Sequence, residues 1–287
     1  MSTLKPLVFI LLTSFSGLIA SGRVVNEQLH INRGTLESFD QRQFPALRYN
    51  ASSSFEVSNR IIQLLPGDSL SLQIINNDTL SHEFLLDNGE SNPIIIAAGD
   101  TGTFSLSDAL KGIYSFSDPS NAVINRYLGL MGVLVVSGNS HNQFYWNLHE
   151  YQSSLNSQLE APGSIDWSEF EPDYFMVNGR SSPYIDEDPS ARVVANVSDT
   201  IEIIVFNSGR SVHPIHFHGF HVLVTNSSRN EQVGRKKDTV PIFPGEVCVL
   251  RMIPDKPGIY PVHDHNLVAV SGGGIYPNGM FMTMLIK

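Results

Sequence analysis

Two short histidine runs hold most of the chemistry legible in this sequence. One is His213-Pro214-Ile215-His216-Phe217-His218-Gly219-Phe220-His221, and the other is His263-Asp264-His265. In a β-strand, residues i and i+2 point to the same face, so His216 goes with His218 and His263 with His265. On neighbouring strands the four imidazoles would converge, and neutral imidazole is a good ligand for copper or zinc. A lone H-x-H pair reads more readily as a solvated strand face; two such pairs in one region favour a bound metal. The chain has 10 His and a single Cys. That count excludes an intramolecular disulfide and any thiolate-rich zinc or iron–sulfur site, so metal chemistry must run mainly on histidine and carboxylate. No nucleophile or general base stands out that would name a reaction.

The elements that must position these histidines read as strands. Ser69-Leu70-Ser71-Leu72-Gln73-Ile74-Ile75 and Thr200-Ile201-Glu202-Ile203-Ile204-Val205-Phe206 alternate or are β-branched, and both end in turn residues, as sandwich strands do. An internal repeat relates such segments. Ala98-Gly99-Asp100 returns as Pro244-Gly245-Glu246, and Lys111-Gly112-Ile113-Tyr114 returns as Pro257-Gly258-Ile259-Tyr260. Gly99 to Gly245, Gly112 to Gly258 and Asp118 to Asp264 are each 146 positions apart. Earlier, Pro66-Gly67-Asp68 answers to Val197-Ser198-Asp199. The expectation is an all-β chain of two tandem sandwich domains, residues 23–137 and 173–287, and a length of 287 residues suits two domains. Residues 138–172 read as a linker. Leu148, Tyr151, Leu155 and Leu159 sit there at helical spacing, so a short helix ending by Pro162-Gly163 is expected. An irregular strap across both domains fits nearly as well.

The remaining composition narrows the setting. Hydrophobic content of 41% and charged content of 16% are those of a globular chain. A net charge of −10 without a basic block argues against nucleic acid or an anionic membrane surface as partner. Arg235-Lys236-Lys237 reads as a solvated turn. Residues 1–22 hold one Lys, the apolar run Leu7-Val8-Phe9-Ile10-Leu11-Leu12 and the small residues Ala20-Ser21-Gly22. That is the layout of a secretory signal peptide cleaved near Ala20. The run is shorter than the ~20 residues of a membrane span, so a secreted chain, extracellular or periplasmic and without a span once mature, is expected. Four N-x-S/T sequons, at Asn50, Asn77, Asn196 and Asn226, decide nothing about glycosylation.

The second domain resembles the C-terminal cupredoxin domain of multicopper oxidases. The resemblance rests on His213-Pro214-Ile215-His216-Phe217-His218-Gly219, Asp238-Thr239-Val240, Pro244-Gly245, Pro257-Gly258-Ile259-Tyr260 and His263-x-His265. Tyr276-Pro277-Asn278-Gly279-Met280 and Tyr174-Phe175-Met176-Val177-Asn178-Gly179 add to it. Upstream, Gly112-Ile113-Tyr114 and Gly129-Leu130-Met131-Gly132-Val133-Leu134-Val135 are similar to the end of the family's N-terminal domain. The resemblance implies two Greek-key cupredoxin-like sandwiches over about residues 55–287, like those of two-domain laccases and copper nitrite reductases, and by that analogy a homotrimer.

It also implies a set of ligands, and only half of that set is present. His216, His218, His263 and His265 match the positions that bind type 2 and type 3 copper. His213 and Met280 match type 1 ligands, and His82 is the one remnant at a ligand position in the first domain. Where the type 1 cysteine should stand, between His263 and His265, the chain has Asp264. The expected type 1 histidine is Ala269. A blue-copper centre needs a thiolate with two imidazoles, so laccase-type oxidation is not expected, and Cys248 reads as a buried hydrophobe. Asp264 should point away from its flanking histidines towards His213, forming an ion pair there or standing as a solvated turn residue. Two functions remain open: a protein binding copper, with zinc as a second choice, through the four histidines, or a copper-free pseudo-oxidase serving as a scaffold or binding module. The sequence names no small-molecule substrate.

Overall fold

The computed structural model describes residues 22–138, 142–159 and 165–287. Residues 1–21, nearly all of the expected signal peptide, lie outside the described residues. The first half contains β1 (Val24–Glu37), β2 (Gln43–Asn50), β3 (Ile61–Leu64), β4 (Ser69–Asn76), β5 (His82–Leu86), β6 (Ile94–Ile96), β7 (Thr101–Leu106), β8 (Gly112–Ser117), α1 (Ala122–Leu128) and β9 (Met131–Val136). The second contains β10 (Asn142–Tyr151), α2 (Asn156–Leu159), β11 (Tyr174–Val177), β12 (Val194–Ala195), β13 (Ile201–Asn207), β14 (His213–Phe217), β15 (Val222–Ser227), β16 (Lys236–Lys237), β17 (Thr239–Ile242), β18 (Val247–Met252), β19 (Gly258–Asp264) and β20 (Phe281–Ile286). No described helix is long and apolar enough to cross a membrane.

The strands make four sheets whose orders repeat. In the first half they run β2-β1-β4-β7 and β3-β9-β8-β5-β6; in the second, β11-β10-β13-β18-β15-β16 and β12-β20-β19-β14-β17. Each half packs its two sheets over one apolar core: Ile31, Ile74, Phe84 and Leu134 in the first, Trp146, Ile203, Phe217 and Met282 in the second. The two-sandwich expectation is therefore met, and the turns show why the sequence repeats. Gly99 and Gly245 have φ of 77° and 76°, a left-handed conformation that favours glycine. Their N–H groups donate to the carbonyls of Asn76 and Asn207.

Residues 142–151 depart from the sequence expectation. Leu148 and Tyr151 belong to β10, which runs parallel to β13 and antiparallel to β11, and helical turns follow at Ser153–Leu155, Asn156–Leu159 and Trp167–Glu169. The strand is buried from Trp146 to Tyr151 because one face lines the second sandwich and the other meets the first domain. Leu36, Phe44, Tyr127, Tyr151 and Met176 form one cluster between the domains. Met131, Val133, Ile204, Phe206 and Val249 form another. A strand buried on both faces shows no alternation, so its apolar residues fell by chance at helical spacing.

Candidate functional site

β14 and β19 are neighbours, with His216 opposite His263. Alternation then sorts their side chains. Ile215, Phe217 and Val262 face the core, as do His213 and Asp264, while His216 and His263 are half-buried and His218 and His265 exposed. The four predicted ligands thus meet on the outer face. Ring centroids are 4.8 Å apart for His216–His218, 5.5 Å for His216–His263, 5.1 Å for His218–His263 and 5.3 Å for His216–His265. His218 Nε2 lies 3.0 Å from His263 Nε2. Burial first, and then the neighbouring His216 and His263, lower the His218 pKa, which favours the neutral ring that a metal requires.

The hydrogen bonds fix one tautomer. His263 Nδ1 is 2.8 Å from the Asp264 carbonyl. A carbonyl only accepts, so Nδ1–H donates and in the neutral ring Nε2 carries the lone pair, which faces His218 Nε2. His216 Nδ1 is 2.9 Å from Thr239 Oγ1. Outer partners of this kind orient metal-binding imidazoles. Two ligands about 2.0–2.1 Å from one ion are themselves about 2.9–3.4 Å apart, and the His218–His263 separation falls in that range. One donor pair, His218 and His263, is thus spaced as two ligands of a single copper or zinc ion would be. His216 meets the other three rings edge to face, however, and among the described residues no group of three or more His, Cys, Asp or Glu side chains is arranged to hold a metal ion.

Beneath this cluster, on the core side, lies an arrangement only partly visible in the sequence. His213 Nδ1 is 2.7 Å from Asp264 Oδ2, and its Nε2 is 2.9 Å from Glu150 Oε2. The first domain holds the same arrangement. His82 Nδ1 is 2.6 Å from Asp118 Oδ2, and its Nε2 is 2.8 Å from Asp78 Oδ2. All six side chains are buried. A carboxylate facing each ring nitrogen calls for two N–H groups, so both rings are imidazolium ions. Burial pulls the His213 pKa down, but the bonds to Asp264 and Glu150 and their charges outweigh it and hold it at about 9. His82 reaches about 9 in the same way, burial being opposed by Asp118 and Asp78. Burial would raise Glu150, yet His213 holds it down at about 2. Asp78, also pushed up by burial, is kept far below the usual carboxylate range by His82 and Arg33.

The ion pair expected between His213 and Asp264 is present, and Asp264 is no solvated turn residue. In this geometry neither His213 nor His82, both further ligand candidates, offers a metal a lone pair. Met280 and Ala269 lie in the core of the second sandwich, and Cys248 is buried on β18 with its thiol pKa raised by burial. Sequence reading missed Glu150, Asp78 and Thr239 as partners. Asp118 was within reach, because the repeat already set it opposite Asp264.

Comparison with known proteins bears on the fold. Residues 158–287 match the multicopper oxidase family. Among solved structures, a blue copper oxidase from Nitrosomonas europaea superposes with a TM-score of 0.77 at 21% identity, covering 92% of this chain and 86% of that one. The multicopper oxidase mgLAC gives 0.76 at 20% identity, covering 93% and 87%. A copper nitrite reductase from Nitrosomonas europaea gives 0.69 at 15% identity, covering 92% and 94%. At these identities the likeness shows the shared fold of two-domain multicopper oxidases. No curated protein sequence matches this chain.

Proposed function

We propose that this multicopper-oxidase-like protein is secreted and binds copper, or zinc in its place, through His216, His218, His263 and His265, without a blue type 1 centre. The observation that carries this reading is the convergence of the four rings, with two Nε2 atoms 3.0 Å apart. Bound metal would supply Lewis acidity or redox capacity. The chain's own part is to hold His263 with Nε2 bare, by the Nδ1–H bond to the Asp264 carbonyl, and to keep His216 against Thr239. Asp264 stands where a type 1 thiolate would be needed, with His213 bound to it as an imidazolium, which argues against laccase-type turnover.

The test is metal content. Purified protein dialysed against copper or zinc should retain about one equivalent, and His216→Ala with His263→Ala should abolish it. Less than a tenth of an equivalent in the native protein would instead support the copper-free scaffold, which the edge-to-face packing of the rings favours. The homotrimer implied by family analogy is checked by light scattering on the same sample.

A further inference from the structure

The four histidines and the buried triad beneath them share two strands. His216 and His218 follow His213 on and just beyond β14, while His263 and His265 flank Asp264 at the end of β19. That strand pair is short. Its register rests on Ile215 opposite Asp264, His216 opposite His263 and Phe217 opposite Val262. A slip of one residue in β19 would turn His263 and His265 into the core and expose Asp264, because strand side chains alternate. The six pairs of β19 with β20 and the buried Val262 oppose that slip, and charge adds to them. Asp264 is tied to His213 across the strands, and His213 is tied to Glu150 on the opposite sheet. A slip would leave an imidazolium buried without one of its carboxylates, which is strongly unfavourable.

We infer that Glu150, His213 and Asp264 are positioning residues for the four-histidine cluster: a buried charge clamp that fixes which face of β19 presents its histidines and, through the Asp264 carbonyl, which nitrogen of His263 is bare. This rests on the metal-binding reading above. The first domain supplies an internal control. Its triad has the same form, but the places corresponding to the four histidines are Leu85, Asp87, Ser117 and Pro119, with Leu85 opposite Ser117 as His216 is opposite His263. There the clamp locks a sandwich and positions no ligand.

The experiment compares matched variants of the full chain: Glu150→Gln and Asp264→Asn in the second domain, Asp78→Asn and Asp118→Asn in the first. Each is titrated with zinc by calorimetry, and each is examined metal-free by nitrogen–proton NMR of the imidazole rings. The second-domain variants should bind zinc about 10–100-fold more weakly, as loss of an outer partner does, and should show His263 as a mixture of tautomers. The first-domain variants should lose stability while leaving zinc affinity and the His263 signal as in the native protein. If Asp264→Asn fails to fold, Glu150→Gln carries the test, since it alters only the far carboxylate. A His263 signal unchanged in the second-domain variants, or equally changed in the first-domain ones, would overturn the clamp. If the native protein binds neither zinc nor copper, the metal-binding reading falls by itself, and the metal-free spectra still decide the positioning role.

Discussion

The two domains build the same buried ion arrangement from different residues. Asn76 and Asn207 mark equivalent places: each side-chain amide donates to a carbonyl of the following loop, Leu80 or Ser211, and to one at the end of another strand, Ile96 of β6 or Ile242 of β17. Two residues on, the first domain has Asp78, whose carboxylate faces His82. The second has Gly209, and its carboxylate comes instead from Glu150 on β10. The strand registers show where Glu150 belongs. Ile31 pairs with Asn76 and Leu148 with Asn207, so Glu150 occupies the place of Arg33. In the first domain Arg33 grips Asp78 through two bonds of 2.7 Å. In the second, a Cβ on Gly209 would lie 1.9 Å from Glu150 Oε2, so glycine is what lets the longer side chain in. An arrangement reached by two routes within one chain is a requirement of the packing, while the residue that supplies each charge is free to move.

The difference predicts unequal costs when the central ring is removed. His82→Leu leaves Asp78 on Arg33, and Asp118 on the Ser120 hydroxyl and the Asn125 amide. His213→Leu leaves Glu150 and Asp264 in the core hydrogen-bonded only to the backbone N–H groups of Arg210, Ser211 and Asn266 among the described residues. Breaking a buried ion pair costs about 3–5 kcal/mol. His213→Leu should fall at the top of that range and His82→Leu at the bottom, read as shifts of the urea midpoint. Equal costs would show that Arg33 compensates nothing.

Alkaline pH should reach both domains in one window. Each imidazolium has a folded pKa of about 9, above the ordinary value near 6.5. Its stabilisation is therefore complete below about pH 6.5 and is lost as pH rises through about 9, on the order of 3 kcal/mol for each ring. Glu150 behaves oppositely. With its folded pKa at about 2, its contribution is present above the usual carboxylate range near 4 and is lost as pH falls through about 2. Tm measured from pH 6 to 10 should fall, and His82→Leu should roughly halve the fall by removing one of the two rings. An alkaline loss undiminished in that variant would mean that other groups govern it.

How far the sequence could carry these points depended on which side of each contact is local. The two-sandwich fold was legible because Gly99 and Gly245 serve the same left-handed turn, and the histidine cluster because i and i+2 share a strand face. Asp264 could be sent towards His213 by that alternation alone. Glu150 could not be found, since its partner lies 63 positions away and its counterpart Arg33 is set opposite it only by the strand registers. The same strand shows no strand period, because burial on both faces erased its alternation. Long-range pairing between sheets leaves no local trace, and here it also changed residue between the two copies.

The exchange itself can be reversed, and this is the finest test of the comparison. Glu150→Arg should destabilise the second domain by placing a cation against the His213 imidazolium. Gly209→Asp should do so by driving a second carboxylate into Glu150 Oε2. Combined, the two substitutions rebuild the Arg33–Asp78 pair of the first domain at the equivalent sites, so each should relieve the other. The double-mutant cycle, measured by urea unfolding, should return a favourable coupling of about 1–3 kcal/mol. Additive losses would mean that the loop after β13 cannot deliver a carboxylate to His213. The route through β10 would then be fixed by backbone geometry, and the freedom to exchange charges would be confined to the first domain.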